Sequence, residues 1–367
     1  MTNDSRRIFK SEGLKVLSHD FLPPSLPHRE EQLEVLENSF SPLLSGDASA
    51  YIPPICLGPT GTGKTTTVKK VGACLLREAE KKGVGLRFLV INCSITSSSY
   101  SLLQRVLEEV ASGPIRGLTE LEMVRKIHAV LELNDEHLIL ILDDADEFVR
   151  SGGRRALLAL SRVTEETDSY RILLGLVLRE ISPLKALDPS LLSRLQGVMI
   201  SFPSYSYEEL MDILAQRVEL AFKPFTVEEG VIDQISLNSS VFGGGDARYA
   251  IDLLKMSAFV AVNRGDGKVN VEHVREAQAS RTLVEVSLSG LSLCSLYFLK
   301  WLAEYFSERK DRAFVRLEEL REELSKDERL SFLCKEALGE SLSELESERL
   351  IRLRGGRVYL PLLPASR

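Results

Sequence analysis

One short motif constrains the fold of this chain more than any other feature. Residues 58–65 read Gly-Pro-Thr-Gly-Thr-Gly-Lys-Thr, which fits the pattern G-x-x-x-x-G-K-[ST] at every position. The motif follows a strand-like apolar run at 55–57 and opens a helical stretch at 66–81. Glycines allow the backbone N–H groups of such a loop to turn onto phosphates, and the helix N-terminus adds partial positive charge. The motif therefore predicts a phosphate-binding loop between a strand and a helix.

The predicted loop assigns individual roles in nucleotide binding. We expect Lys64 to contact the β- and γ-phosphates and the Thr65 hydroxyl to ligate Mg²⁺. The guanine-specific pattern N-K-x-D is absent, so ATP or ADP with Mg²⁺ is the expected cofactor. The loop residues predicted to bind the nucleotide are Gly58, Pro59, Thr60, Gly61, Thr62, Gly63, Lys64, Thr65 and Thr66.

A pair of carboxylates supplies the second chemical signal. Residues 138–142 form a hydrophobic strand that ends in Asp143 and Asp144. Ligands of parallel sheets bind at the carboxyl ends of the strands, so we expect Asp143 to hold the metal and Asp144 to polarise the attacking water. The alternative is a strand-to-loop turn rich in Asp, without a metal.

The periodicity of the chain predicts an α/β fold with three domains. Apolar strand-like runs alternate with helical stretches up to residue 203, which indicates a parallel sheet covered on both faces. From 205 to 283 the pattern is helical, with capping-box sequences at 206–209 and 226–229. Three helices, one of them at 314–324, and a hairpin then form a winged-helix pattern. The predicted domains are a nucleotide-binding core with an N-terminal arm (1–204), a helical lid (205–284) and a winged helix (285–367).

The distribution of charge determines which partners are possible. The 46 basic and 53 acidic residues give a net charge of −7, which excludes a globally basic nucleic-acid coat. Five arginines and no carboxylate lie between Arg349 and Arg367, however, and the turn at 354–357 reads Arg-Gly-Gly-Arg. Arginines at such a turn suit insertion into a narrow minor groove. The residues predicted to contact DNA are Ser331 and Lys335 on a recognition helix at 330–346, and Arg352, Arg354, Gly356 and Arg357 on the wing.

The cysteines and apolar runs indicate the compartment. The five cysteines form no C-x-x-C pair, which argues against a disulfide framework and a zinc site. The longest apolar runs are of strand length, and the first ten residues lack the apolar segment of a signal peptide. We expect a cytoplasmic protein associated with the nucleoid, without a membrane partner.

The order of the motifs resembles that of the AAA+ ATPases, and among them the archaeal and eukaryotic replication initiators of the origin-recognition/cell-division-cycle family. The resemblance is carried by Pro-His-Arg-Glu at 27–30, the phosphate loop, Ile-Asn-Cys at 91–93, the acidic stretch 143–147, residues 187–195, Gly-Asp-Ala-Arg at 245–248 and the winged helix. It implies that Arg248 is the sensor-2 arginine, which reaches the nucleotide from the lid. It also implies that Arg194 is an arginine finger for a neighbouring subunit's nucleotide, with a structural intrachain role as the alternative.

Two departures from the family pattern bear on hydrolysis. The family usually has Asp-Glu after the hydrophobic strand, whereas this chain has Asp143-Asp144. The next strand ends in Leu178-Arg179, without the usual sensor-1 Asn. The shorter Asp144 carboxylate reaches less far towards the water, and a misplacement of about 1 Å can cost ~100-fold in rate. We therefore expect tight nucleotide binding with slow ATPase turnover, as in a switch.

The resemblance implies an ATP-dependent replication initiator. It would bind double-stranded origin DNA, act with paralogous initiator subunits and help to recruit the replicative helicase. One alternative is a clamp-loader or transposition-type ATPase, in which a helical collar is expected at the C-terminus. The other is a nucleotide-gated scaffold whose winged helix binds protein.

Overall fold

The computed structural model describes residues 5–360 except for 97, 112–116, 168, 196, 282–290, 310–311, 327–334 and 349. The chain divides into two compact units. One is Leu22–Ser204, and the other combines the N-terminal residues up to Phe21 with the chain from Tyr205 onward.

The N-terminal arm packs against the lid helices. It contains two short helices, α1 (Ser5–Ile8) and α2 (Gly13–Val16). Phe9 and Phe222 form an antiparallel bridge, and their ring centroids are 5.0 Å apart. Gly13 lies so close to the lid that a Cβ there would be 2.1 Å from the Ala221 carbonyl oxygen. The arm, which we predicted as part of the first domain, therefore belongs to the same compact unit as the lid.

The core unit contains the parallel sheet that the sequence predicts. Its strands follow the spatial order β2-β3-β4-β1-β5, and every pair is parallel. The strands are β1 (Pro54–Leu57), β2 (Gly85–Asn92), β3 (Glu136–Asp143), β4 (Ile172–Leu178) and β5 (Val198–Ser201). The helices are α3 (Glu30–Phe40), α4 (Lys64–Lys82), α5 (Ser99–Val110), α6 (Glu120–Leu133), α7 (Arg154–Thr167), α8 (Ser182–Lys185) and α9 (Pro189–Leu195).

Helices cover both faces of this sheet. Successive residues of a strand point to opposite faces, so β3 contributes to two hydrophobic clusters. Leu138, Leu140 and Leu142 pack in the cluster with α5, α6 and α7, while Ile139 and Ile141 pack in the cluster with α3 and α4. Because β4 lies between β1 and β3, the residues that follow these three strands meet at one edge of the sheet.

Residues 205–281, the described part of the lid, contain four helices. They are α10 (Tyr207–Ala221), α11 (Val231–Val241), α12 (Ala247–Arg264) and α13 (Val271–Arg281). The predicted capping box at Ser206 and Glu209 is present. The second predicted box is wrong, because α11 begins only after Gly230, whose φ of 85° is left-handed. The Thr226 hydroxyl instead donates hydrogen bonds to two backbone carbonyls.

The C-terminal part has helices and a three-stranded antiparallel sheet, as in a winged helix. The elements are α14 (Leu293–Glu308), β6 (Phe314–Arg316), α15 (Leu317–Lys326), α16 (Lys335–Ser347), β7 (Arg352–Arg354) and β8 (Arg357–Tyr359). The predicted helix at 314–324 begins three residues late, because Phe314–Arg316 pairs with β8 as the third strand. The described residues thus form a sheet where the clamp-loader alternative requires a helical collar.

Candidate functional site

The phosphate loop connects β1 to α4 in a conformation that only glycine permits at several positions. Gly61 and Gly63 have φ of 70° and 89°, which are left-handed. A Cβ on Gly58 would lie 2.1 Å from the Phe202 carbonyl oxygen, so no larger residue fits there. Gly63 is also the N-cap of α4, which begins at Lys64. The loop therefore presents a helix N-terminus to a phosphate group, as the motif predicts.

The side chains of the loop fold back onto its own carbonyl groups. Lys64 Nζ donates hydrogen bonds to the carbonyls of Gly58 and Pro59, each at 2.6 Å. The Thr62 hydroxyl donates to the Pro59 carbonyl at 2.9 Å. The Lys64 ammonium thus lies over the loop, where an anionic phosphate is a stronger partner than a neutral carbonyl.

The two predicted metal ligands are adjacent. Thr65 Oγ1 donates a hydrogen bond to the Asp143 carboxylate, at 3.1 and 2.9 Å from its two oxygens. Asp143 is the last residue of β3 and is buried. Oxygen ligands of this kind suit Mg²⁺, which usually takes one or two protein ligands and completes its shell with phosphate oxygens and water. The described residues contain no cluster of three or more His, Cys, Asp or Glu side chains that could hold a metal unaided.

Asp144 and Arg179 form an ion pair at the ends of two neighbouring strands. Nη2 of Arg179 lies 3.7 Å from Oδ1 of Asp144. The Asp146 carboxylate accepts hydrogen bonds from the backbone N–H groups of Arg179 and Glu180 and so fixes the end of β4. Asp144 has a left-handed backbone, with φ of 48°. The position that lacks the expected Asn therefore supplies a cation to Asp144, a pairing that the sequence analysis did not predict.

Arg29 binds the backbone of the phosphate loop through its side chain. Its side chain is buried, and Nε donates to the Thr62 carbonyl at 3.0 Å. Its guanidinium also donates to the carbonyls of His28 and Pro203, at 2.6 and 2.8 Å. The sequence Pro-His-Arg-Glu at 27–30 does not by itself assign a role to this arginine. Its three bonds to carbonyl groups make it the residue that connects the loop to the segment after β5.

Two cysteines near this site, Cys56 and Cys93, have unreactive thiols. Burial raises the pKa of both Cys56 and Cys93 to about 12. Lys64 lowers the pKa of Cys56 and Asp143 raises it, but burial is the larger effect. Because the thiolate is the reactive form, neither thiol is a nucleophile near neutral pH.

Arg194 lies in the last turn of α9, directed at its own core unit. It lines a cavity of about 270 Å³ together with Tyr51, Tyr170 and Ser161, and one terminal guanidinium nitrogen is buried. This arrangement agrees with the alternative of a structural role for Arg194 within its own chain. Its role as an arginine finger for a neighbouring subunit stays a prediction.

Arg248 lies at the start of lid helix α12. Its backbone N–H donates to the Asp246 carboxylate at 2.7 Å, and Asp246 is the N-cap of the helix. The side chain is exposed. An exposed cation at this position is compatible with the sensor-2 role, which stays a prediction.

The wing is a tight hairpin between β7 and β8. Gly355 and Gly356 have φ of 51° and 72°, and two successive left-handed residues form the turn that matches the twist of the strands. Arg352 Nη1 lies 3.8 Å from the Glu346 carboxylate. Arg354 pairs with Glu208, and Arg357 Cζ lies 4.3 Å from the centre of the Phe314 ring. The structure thus gathers the predicted wing arginines on one hairpin.

The recognition helix is described only in part. Helix α16 begins at Lys335, and Ser331 lies outside the described residues. The contacts predicted for these two residues therefore stay predictions. Among the described helices, none combines the length and the apolar character that a membrane span requires.

Known families match two parts of the chain. The description "AAA domain" matches residues 53–179, and "Cdc6 AAA+ ATPase-type lid domain" matches residues 211–279. An ORC1-type DNA replication protein of Pyrococcus abyssi is 34% identical over 279 residues, which cover 75% of this chain and 65% of that protein. An ORC1-type DNA replication protein 2 of Sulfolobus acidocaldarius is 33% identical over 300 residues, which cover 78% and 72%. The match thus spans just under two thirds of the Pyrococcus protein.

Solved structures are similar over nearly the whole chain. Cdc6p of Pyrobaculum aerophilum has a TM-score of 0.81 at 24% identity, with 97% of this chain and 95% of that chain covered. The Aeropyrum pernix ORC1 protein, solved in complex with DNA, has a TM-score of 0.66 at 28% identity, with 97% and 94% covered. The A. pernix ORC2 protein, solved as ADPNP–ADP complexes, has a TM-score of 0.66 at 26% identity, with 98% and 95% covered.

Proposed function

Because the chain belongs to the family of ORC1-type DNA replication proteins, which are AAA+ ATPases, we propose that it is an ATP-dependent initiator of DNA replication. One observation carries the proposal. A single chain combines a complete phosphate loop beside the Thr65–Asp143 pair with an arginine-bearing wing.

The chain's own residues bind the nucleotide. The backbone N–H groups of the phosphate loop and the Lys64 ammonium bind the phosphates, while Thr65 and Asp143 hold the metal. When bound, Mg²⁺ neutralises charge on the β- and γ-phosphates. Arg248 contributes a further cation from the lid, and Arg194 serves the nucleotide of a neighbouring subunit. The A. pernix ORC2 complexes with ADPNP and ADP support ATP and ADP as the cofactors.

The nucleotide acts as a slow switch. The Asp144 carboxylate is one methylene shorter than the usual Glu, and it is paired with Arg179 at 3.7 Å. The guanidinium engages a carboxylate oxygen that would otherwise orient the attacking water. Both features slow the activation of water and leave the binding loop intact.

The winged helix binds duplex origin DNA. The wing, with Arg352, Arg354, Gly356 and Arg357, enters a minor groove, while Ser331 and Lys335 approach the major groove. The DNA complex of the A. pernix ORC1 protein supports a DNA partner. Paralogous initiator subunits and the replicative helicase are the proposed protein partners, and the nucleoid is the proposed location.

Footprinting tests the proposal. The protein is incubated with candidate origin DNA and with random DNA, without nucleotide, with ADP and with ATP, at two salt concentrations. We expect protection of a defined origin segment that persists at the higher salt. Protection that is independent of sequence and lost at moderate salt would show only non-specific phosphate binding and contradict origin recognition.

A variant of the wing locates the DNA interface. Arg357→Ala should weaken binding and reduce the slope of log affinity against log salt by about one. A Lys268→Ala control, which also removes one positive charge but from an exposed lid loop, should leave the slope unchanged. Equal affinity and slope for Arg357→Ala and the unmodified protein would remove the wing from the interface.

A further inference from the structure

The tip of the wing contacts the first turn of the lid. The Arg354 guanidinium pairs with the Glu208 carboxylate, and its Cζ lies 4.1 Å from the centre of the Tyr207 ring. Tyr207 and Glu208 are the first two residues of α10. Arg354 thus has both an ionic and an aromatic partner in the lid.

The Tyr207 side chain also connects the contact to a carboxylate on another lid helix. Asp233 lies in the first turn of α11, and the Tyr207 hydroxyl donates a hydrogen bond to it. Burial raises the pKa of Asp233 to about 6, whereas the nearby Arg357 charge lowers it. Tyr207 therefore links both lid helices to the wing, because its ring contacts Arg354 and its hydroxyl donates to Asp233.

We propose that this wing–lid contact, formed by Arg354 with Glu208 and Tyr207 and linked to Asp233 through Tyr207, is an autoinhibitory contact that DNA must displace. The proposal rests on the proposed function, in which the wing binds duplex DNA. An arginine binds carboxylate and phosphate through the same planar fork of N–H groups. The N–H groups that Arg354 gives to Glu208 are therefore withheld from DNA.

The exposure of the ion pair makes the competition possible. The Arg354 side chain is 39% exposed and that of Glu208 is 63% exposed, so a phosphate can reach the pair from solvent. The hairpin offers no acidic partner of its own, because the chain from Arg349 onward contains no carboxylate. Exposed ion pairs are weak, so we expect this contact to lower DNA affinity by about two- to fivefold rather than abolish it.

A double-mutant cycle on the full chain tests the contact. Glu208→Gln keeps the shape of the side chain and removes its charge, and Arg354→Ala removes the wing partner. The control is Glu219→Gln, an exposed carboxylate on the same helix, which changes net charge equally. The affinity of each variant for a labelled duplex is measured by fluorescence anisotropy at two salt concentrations.

We expect Glu208→Gln to tighten duplex binding about two- to fivefold, with little change for Glu219→Gln. In the Arg354→Ala background, Glu208→Gln should have no effect, because its partner is gone. Equal tightening by the two Glu→Gln variants, or a Glu208→Gln effect that persists without Arg354, would overturn the inference and show general charge repulsion.

The same measurements separate this inference from the proposed function. If Arg354→Ala weakens duplex binding and Glu208→Gln leaves it unchanged, the wing binds DNA and the autoinhibitory contact is refuted. If neither Arg354→Ala nor Arg357→Ala affects duplex binding, the proposed role of the wing fails, and the inference fails with it.

Hydrogen–deuterium exchange provides a second readout on the unmodified protein. As the wing leaves the lid, duplex DNA should speed exchange of the backbone amides in the first turns of α10 and α11. Arg354→Ala should speed the same amides without DNA. Unchanged exchange with DNA bound would show that the wing stays on the lid, and would overturn the inference.

Discussion

The Thr65 hydroxyl donates a hydrogen bond to the Asp143 carboxylate, with 3.1 and 2.9 Å to its two oxygens. The two residues are 78 positions apart in the chain. They meet because one lies in the first turn of the helix after β1, the other ends β3, and the single strand β4 separates those two strands. The sheet therefore places both predicted metal ligands side by side.

Replacing Asp143 tests the role of this pair. Asp143→Asn removes the charge of this proposed metal ligand and preserves a hydrogen-bond acceptor for Thr65. We expect the Mg²⁺-dependent gain in ATP affinity to fall at least tenfold, with affinity in the presence of a chelator nearly unchanged. Titration calorimetry with and without Mg²⁺ measures both quantities. A variant that keeps the full Mg²⁺ dependence would show that Asp143 is not a ligand.

The Asp144–Arg179 pair predicts that hydrolysis can be accelerated. The double variant Asp144→Glu/Arg179→Asn lengthens the carboxylate and removes the cation 3.7 Å away. We expect turnover at least tenfold above that of the unmodified protein, which should be well below ~1 s⁻¹. Phosphate release gives turnover, and titration gives nucleotide affinity, which should change little.

The single variants show which feature limits the rate. Arg179→Asn alone should give a smaller gain, because the Asp144 carboxylate stays short. Turnover of the unmodified protein at or above ~1 s⁻¹ would contradict the assignment of both residues.

The sequence predicts those parts of the site that depend on local chain geometry. The phosphate loop is recognised from glycines at fixed spacing before a helix start. The carboxylate pair is recognised from its place directly after an apolar strand. Both features can be identified in a single segment. The approach of Thr65 to Asp143 also follows, because all strands of a parallel sheet end at the same edge.

The unpredicted contacts join distant segments, and their geometry depends on packing. The pairing of Arg179 with Asp144 requires the register of β4 against β3, and that of Arg354 with Glu208 requires the docking of the wing on the lid. The strand Phe314–Arg316 looked helical because only three residues pair with β8. In each case a tertiary contact determines the structure, because the local sequence pattern is compatible with more than one conformation or partner.

Arg29 predicts a link between stability and nucleotide binding. Arg29→Ala removes the guanidinium donor from the buried Thr62 carbonyl, and an unsatisfied buried group costs about 1–3 kcal/mol. We expect the free energy of unfolding to fall by about 1–3 kcal/mol and ATP affinity to fall at the same time. Urea unfolding and nucleotide titration measure the two effects.

Arg29→Lys is the matched control for charge. A lysine keeps the positive charge but has a single ammonium, which cannot bind the two separated carbonyls as the guanidinium does. We expect it to recover only part of the lost stability. Full recovery by lysine would mean that the charge of Arg29 matters and its hydrogen bonds do not.

The raised pKa of Asp233 predicts that the free energy of unfolding depends on pH. Burial raises its pKa to about 6, above the ~4 of an aspartate in an unfolded chain. Between these values the folded protein keeps a proton that the unfolded chain releases. The stability contributed by this group is therefore present below about pH 4 and is lost as the pH rises through about 6.

Asp233→Asn imitates the protonated carboxyl at every pH. At pH 7 we expect the variant to be more stable than the unmodified protein by about 1–2 kcal/mol, because partial solvent contact reduces the full effect of the pKa shift. At pH 4 the two proteins should be equally stable, and Glu229→Gln should show little difference at either pH. Chemical unfolding at both pH values measures the effect. A difference between Asp233→Asn and the unmodified protein that is the same at pH 4 and pH 7 would show that Asp233 does not titrate with a raised pKa.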